Sequence, residues 1–307
     1  MAFDTVIALL VPGQGSQTPG MLAPWLELPG AAEQLESWSR AGGLDLARLG
    51  TTASAEEITD TSVTQPLVVA ATLLAHQELM RRGLPDAGTV VAGHSVGEIA
   101  AYAIAGVMSA DDAVALAATR GAEMAKACAL EPTGMSAVLG GDEAEVLARL
   151  DELELVPANR NAAGQIVAAG RITALGKLAE DPPAKARVRA LDVAGAFHTE
   201  FMAPALDGYA AAAGGIETSD PTTTLLSNAD GQPVASAAEA MSKLVAQLTK
   251  PVRWDLCTDT IRRHNAAAIV EFPPAGALAG IAKREFRGTP THTVKSPADL
   301  DGLTEQD

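Results

Sequence analysis

The stretch that narrows the possible folds of this 307-residue chain most is Thr89-Val90-Val91-Ala92-Gly93-His94-Ser95-Val96-Gly97-Glu98. A β-branched run predicts a strand over 89–92, the apolar run Ile99 to Met108 predicts a helix, and a Gly-x-Ser-x-Gly turn joins them. Such a turn bends too tightly, and passes its neighbours too closely, for a Cβ at Gly93 or Gly97. Ser95 is then held at the apex with its hydroxyl aimed into a cleft. The amide of Val96, at the start of the helix, is free to donate to a developing oxyanion. A serine in an ordinary glycine-rich connection is the alternative, and the strand and helix on either side favour the nucleophile.

The length suits one large domain or two smaller ones, with room for a sizeable core. Hydrophobic residues make up 48% and aromatics only 3%, so the core is built mainly from Ala, Val, Leu and Ile. That composition suits helices laid on a parallel sheet. A formal charge of −16 with no long Lys/Arg run excludes nucleic acid as a partner. The two cysteines, Cys128 and Cys257, have neither metal-ligand nor Cys-x-x-Cys spacing, which predicts a reducing cytoplasm and no disulfide framework. The amino terminus carries Asp4 and no basic region, and its apolar run Val6 to Val11 stops at Pro12-Gly13, as a strand does and a signal peptide does not. The longest apolar run, Ile99 to Met108, falls far short of the ~20 residues that span a bilayer. The chain therefore reads as cytoplasmic, with no membrane contact.

The first strand runs into Pro12-Gly13-Gln14-Gly15-Ser16-Gln17, a polar loop where an open α/β sheet places ligand contacts. It lacks the Lys-Ser/Thr of a P-loop and the third glycine of a dinucleotide fingerprint, which argues against nucleotide binding. A short helix and a turn at Ala41-Gly42-Gly43 follow. An apolar helix reaches Met80 and stops at Arg81-Arg82-Gly83, and Thr61 and Gln65-Pro66 at its start fit a helix-start signal. Ser109-Ala110-Asp111-Asp112 has the form of a capping box, opening a helix over Ala113 to Met124. Within it Arg120 reads on its own as a partner of Glu123 or as a side chain reaching solvent.

Between Glu131 and His198 the texture changes. Strands are predicted over Met135–Leu139, Gln165–Ala169 and Arg187–Val193, with helices over Glu143–Leu153 and Ile172–Leu178. Strands interleaved with two helices predict a small ferredoxin-like insert. The segment Pro157 to Gln165 reads as a turn, and Asx-turn chemistry accounts for Asn159 and Asn161. Of the five histidines, His94 should point away from Ser95, while His76 and His264 read as surface positions. That leaves His198, after a predicted strand end, and His292. Beyond Trp254 come a helix to Arg263, a strand Ala268–Phe272, a turn at Pro273-Pro274-Ala275-Gly276, a helix Leu278–Arg284 and a polar tail from Ser296 that should fray.

Taken together, the Pro-Gly-Gln-Gly-Ser-Gln loop and the Ser95 elbow make the chain resemble the acyl-CoA:acyl-carrier-protein transacylases, and among them the malonyl transacylases. The resemblance spans nearly the whole chain. It implies an oxyanion hole from the main-chain N–H groups of Gln14 and Val96, and a catalytic His198 in an Ala-Phe-His context. It also implies that a main-chain carbonyl near Gln247 orients that histidine, and that Arg120 holds the free carboxylate of a dicarboxylic acyl group. A guanidinium suits that role, offering two parallel donors and not titrating. Gln65, Asn159, Asn161 and Gln247 fall at positions of the family's substrate site, although Ala163-Gly164 stands where Pro-Gly is common. Phe197 beside the histidine resembles malonyl-selecting sites, where Ser-His accompanies methylmalonyl selection.

The implied fold is an α/β hydrolase-like large subdomain over 1–126 and 199–307, with the ferredoxin-like subdomain 127–198 between. The implied reaction moves a malonyl group from malonyl-CoA to the phosphopantetheine thiol of an acyl carrier protein through an acyl-serine, in a monomer needing no metal or cofactor. Two rivals stand beside it. A serine esterase or thioesterase would use the same elbow with His264 or His292, and a noncatalytic carrier-protein docking module would use neither residue. Lys177, Lys185, Arg187 and Arg189, or Lys283, Arg284 and Arg287, are the basic clusters that could meet an acidic carrier.

Overall fold

The computed structural model describes residues 6–83 and 88–304. Asp4 and the expected subdomain ends at Met1 and Asp307 lie outside the described residues. The nine strands among the described residues are β1 (Ile7–Val11), β2 (Thr89–Gly93), β3 (Thr133–Gly140), β4 (Val156–Ala162), β5 (Gln165–Arg171), β6 (Ala186–Ala190), β7 (Thr224–Leu226), β8 (Ala268–Glu271) and β9 (Thr291–Thr293). They form two sheets. Five strands pair in the order β7-β2-β1-β8-β9, all parallel, and four pair antiparallel in the order β4-β5-β3-β6.

Strand β1 is apolar at every position because both faces of its sheet are covered. Leu9 and Val11 face one core with Leu67, Val91 and Ile99, while Ala8 and Leu10 face a second with Val90, Trp254 and Ile281. The Thr61–Arg81 helix is buried along most of its length, so it is apolar on nearly all sides, and Asp60 caps it by accepting the Ser62 N–H at 2.8 Å. β1 and β2 lie in register with Val11 opposite Gly93, so the loop after one and the elbow after the other leave the sheet side by side.

The antiparallel sheet is built β3, helix Glu143–Glu152, β4, β5, helix Ile172–Glu180, β6, the order of a ferredoxin-like unit. Val138, Val146, Leu150, Ile166 and Leu178 form its own core. Met135, Ala158 and Val167 join the main core instead, which sets the other face of this sheet against the parallel one.

Several expectations need correction. The segment expected as a turn over 157–165 is strand β4 and its hairpin to β5. Pro157 and the two asparagines hide the strand, because its register shifts between Pro157 and Asn159 and between Arg160 and Ala162 break the alternation. The elbow helix stops at Ile104, with Gly106 in a left-handed conformation beyond it, not at Met108. The helix after it covers Ala110–Cys128, longer at both ends than its apolar pattern. β6 ends at Ala190, short of Val193. The tail forms two short helices, Pro297–Leu300 and Asp301–Thr304, anchored by buried Leu300 and a Ser296–Asp299 capping box.

Candidate active site

The elbow after β2 has the strain its sequence predicts. Ser95 has φ of 54°. A Cβ on Gly93 would lie 2.2 Å from the Gly97 carbonyl, and one on Gly97 would lie 2.4 Å from the carbonyl oxygen of Val11, so both glycines answer to close backbone packing. Asn228, just beyond β7, fastens the turn: its Oδ1 accepts the Ser95 N–H at 2.8 Å and its Nδ2 donates to the Gly93 carbonyl at 2.6 Å.

His198, itself at φ of 61° and 2% exposed, places Nε2 2.7 Å from Ser95 Oγ. Its Nδ1 lies 2.8 Å from the main-chain oxygen of Gln247. A carbonyl only accepts, so Nδ1 carries the proton and Nε2 is left to accept from the serine hydroxyl. Burial, and then the field of Arg120, push the imidazole pKa down to about 3, which keeps the ring neutral and able to take a proton.

These two residues open on a cavity of about 250 Å³ whose walls include Gln14, Asn159, Asn161 and Phe197. The main-chain N–H groups of Gln14 and Val96 meet no acceptor among the described residues. They are donors available to an anion. His94 also lines the cavity. Its Nε2 lies 2.9 Å from Asn161 Oδ1, its ring packs edge-on against Trp254 at 5.4 Å, and it thereby ties the elbow to β4. His264 and His292 do not line the cavity.

Arg120 does not pair with Glu123 or reach solvent. It is 1% exposed, donating from Nη1 to Gln65 Oε1 at 2.7 Å and from Nη2 to Gln247 Oε1 at 2.8 Å, while its Nε has no partner. Arg120, Gln65 and the Gln247 side chain are not among the cavity-lining residues; they form a buried cluster joined to the site through Gln247, whose carbonyl holds His198. Gln247 Nε2 further donates to the Ser95 carbonyl at 3.1 Å and to the carboxylate of buried Glu98. Sequence reasoning missed Glu98 and Asn228. Glu98 adjoins the motif, but nothing in a sequence marks a glutamate as buried, and Asn228 lies in a stretch with no motif of its own.

A serine held at a strained elbow, a neutral histidine oriented by a carbonyl and two free amides beside them define an α/β acyltransferase of the serine class. The chain matches the acyl transferase domain family over residues 9–298. The malonyl CoA-acyl carrier protein transacylase of Mycobacterium bovis is 79% identical over 299 residues, 97% of this chain and 99% of the relative. That of Escherichia coli is 32% identical over 308 residues, 98% and 99% of the two chains. The crystal structure of MCAT from Mycobacterium tuberculosis superposes with a TM-score of 0.96 at 78% identity, covering 98% of this chain and 100% of that one. A type II polyketide acyl carrier protein in complex with its malonyl-transacylase gives 0.93 at 30% identity, covering 99% and 100%. The chain belongs to the acyl transferase family and, within it, to the malonyl CoA-acyl carrier protein transacylases.

Proposed function

We propose that the chain transfers a malonyl group from malonyl-CoA to the phosphopantetheine thiol of an acyl carrier protein by a ping-pong route through Ser95. His198 Nε2 takes the proton of Ser95 Oγ as that oxygen attacks the thioester carbonyl, and the Gln14 and Val96 amides hold the oxyanion. The C–S bond breaks, the imidazolium returns its proton to the CoA sulfur, and malonyl-Ser95 remains. The carrier's thiol then gives its proton to His198 and attacks the ester carbonyl, and Ser95 leaves with that proton. One chain supplies every group these steps use.

Arg120 would meet the malonyl carboxylate. Two of its five N–H donors are taken by glutamine oxygens, which leaves Nε and one hydrogen on each Nη for an anion. Gln65 and Gln247 act by holding Arg120, Asn159 and Asn161 line the acyl and pantetheine path, and Phe197 narrows the space at the malonyl α-carbon. Segment 127–198 would form the small subdomain, and 1–126 with 199–307 the large one. Arg284, which donates to the cavity residue Gln165 at 2.5 Å, brings the cluster of Lys283, Arg284 and Arg287 near the mouth, whereas Arg187 and Arg189 stand exposed on edge strand β6. No helix among the described residues is long and apolar enough to cross a membrane, and the two cysteines are unpaired, which supports a reducing cytoplasm.

The observation that carries the reading is the Ser95–His198–Gln247 relay, in which a carbonyl takes the place of an acid. It also sets aside the esterase reading based on His264 or His292. The test is product analysis with malonyl-CoA and holo carrier protein. Malonyl-carrier with parallel double-reciprocal plots is expected; free malonate as the main product would make the chain a hydrolase instead.

A further inference from the structure

We propose that Glu98 is a positioning residue for substrate selection: its carboxylate fixes which way the Gln247 amide faces, and that amide holds Arg120 in the pose that meets a substrate carboxylate. The inference rests on the reading of Arg120 given above. Glu98 stands one helical turn after Ser95 and is 1% exposed. One of its oxygens accepts the Asn228 N–H at 2.5 Å, and the other accepts Gln247 Nε2.

An ionised carboxylate only accepts, and so does the Ser95 carbonyl beside it. The amide nitrogen of Gln247 must therefore face these two, which turns its oxygen to Arg120. The opposite orientation would set acceptor against acceptor at Glu98 and donor against donor at the guanidinium. Gln65, the other partner of Arg120, has no comparable external constraint, since its nitrogen meets only the weakly accepting sulfur of Met124 at 3.3 Å. Glu98, with the Ser95 carbonyl beside it, thus fixes the Gln247 acceptor of the arginine from outside, and Glu98 is the charged member of the two.

Protonation of Glu98 would weaken the arrangement. A carboxyl hydrogen on the oxygen facing Gln247 meets the amide NH₂ donor to donor, and the charge that attracts this amide is gone. Only the Ser95 carbonyl then holds the Gln247 nitrogen, and the pose of Arg120 loosens. Burial pushes the Glu98 carboxyl up to about 7, opposed by the Asn228 N–H, the Gln247 amide, the charge of Arg120 and the Ser227 hydroxyl. The other titratable groups acting on this pocket are Tyr102, Tyr209 and Cys257, each held neutral by burial. His198, at about 3, stays neutral through the same window. Malonyl preference is therefore full above pH 7 and declines as pH falls through it.

The experiment compares kcat/KM for acylation by malonyl-CoA and acetyl-CoA in wild type, Glu98→Gln and Arg120→Ala, each checked by its melting curve. A neutral amide at position 98 should lower the malonyl-to-acetyl ratio about tenfold to a hundredfold above pH 7. It should also remove the fall of that ratio with falling pH that is expected of wild type. Equal loss on both substrates in Glu98→Gln, or an unchanged ratio while Arg120→Ala is selective, overturns the role of Glu98. Equal loss in Arg120→Ala removes the reading beneath it. If Glu98→Gln does not fold, the wild-type ratio decides alone, and a ratio constant through pH 7 overturns the proposal.

Discussion

At the scale of single residues, Arg120 is a buried cation bonded only to neutral oxygens, with no carboxylate at ion-pair distance among the described residues. Such a group costs stability until an anion arrives beside it. On the proposed role, removing it from the complex strands the substrate's carboxylate at a cost of about 3–5 kcal/mol, about a hundredfold to several thousandfold in kcat/KM. Arg120→Ala should show that loss with malonyl-CoA and none with acetyl-CoA in parallel acyl-enzyme kinetics. Arg120→Lys should recover only part of the rate, since a point charge replaces a two-donor fork. Equal losses would mean that Arg120 serves only its helix. Ser95 was legible because a strained nucleophile turn leaves its mark in a short motif, whereas His198 was singled out by the family resemblance. Arg120 was legible only through the family resemblance, since its own helix read as well with a solvent-facing arginine. Glu98 and Asn228 were not legible at all. They meet the elbow through burial and through long-range pairings that no local pattern encodes.

At the scale of elements, the elbow works because strand, turn and helix are packed backbone to backbone. Gly93→Ala places a methyl 2.2 Å from the Gly97 carbonyl, where rigid backbone and not a flexible side chain must yield. The turn should open, with a loss of about 1–3 kcal/mol in stability and a larger proportional loss of acylation, read by thermal melting and single-turnover kinetics. Wild-type stability and rate in that variant would show that the close approach is unimportant. Elements with clean periods, β1, β2 and the two insert helices, were legible nearly to their ends. β4 was not, because its bulges put Pro157, Asn159 and Asn161 where alternation would place apolar residues, and those bulges aim asparagines at the cavity. The tail was misread because its buried anchors, Leu300 and Leu303, are two isolated apolar side chains in a polar stretch.

At the scale of the whole molecule, the parallel order β7-β2-β1-β8-β9 puts the loops after β1, β2 and β7 at one edge of the sheet. Gln14 and Ser95 come together on the first two of these loops, Gln247 arrives on the segment after β7 and His198 on the segment after β6, and Met135, Asn159 and Val167 of the antiparallel sheet line the cavity. The chain-wide order of motifs was readable, whereas the contact of Arg160 and Ala158 with Val252, which couples β4 to the segment after Gln247, was not. The central claim is a covalent malonyl-serine at this convergence. Intact-mass spectrometry of the protein after malonyl-CoA, with and without holo carrier protein, tests it most directly. One malonyl adduct on Ser95 is predicted, absent in Ser95→Ala and discharged by the carrier. No adduct on the wild type, or an adduct that persists in Ser95→Ala, would contradict it.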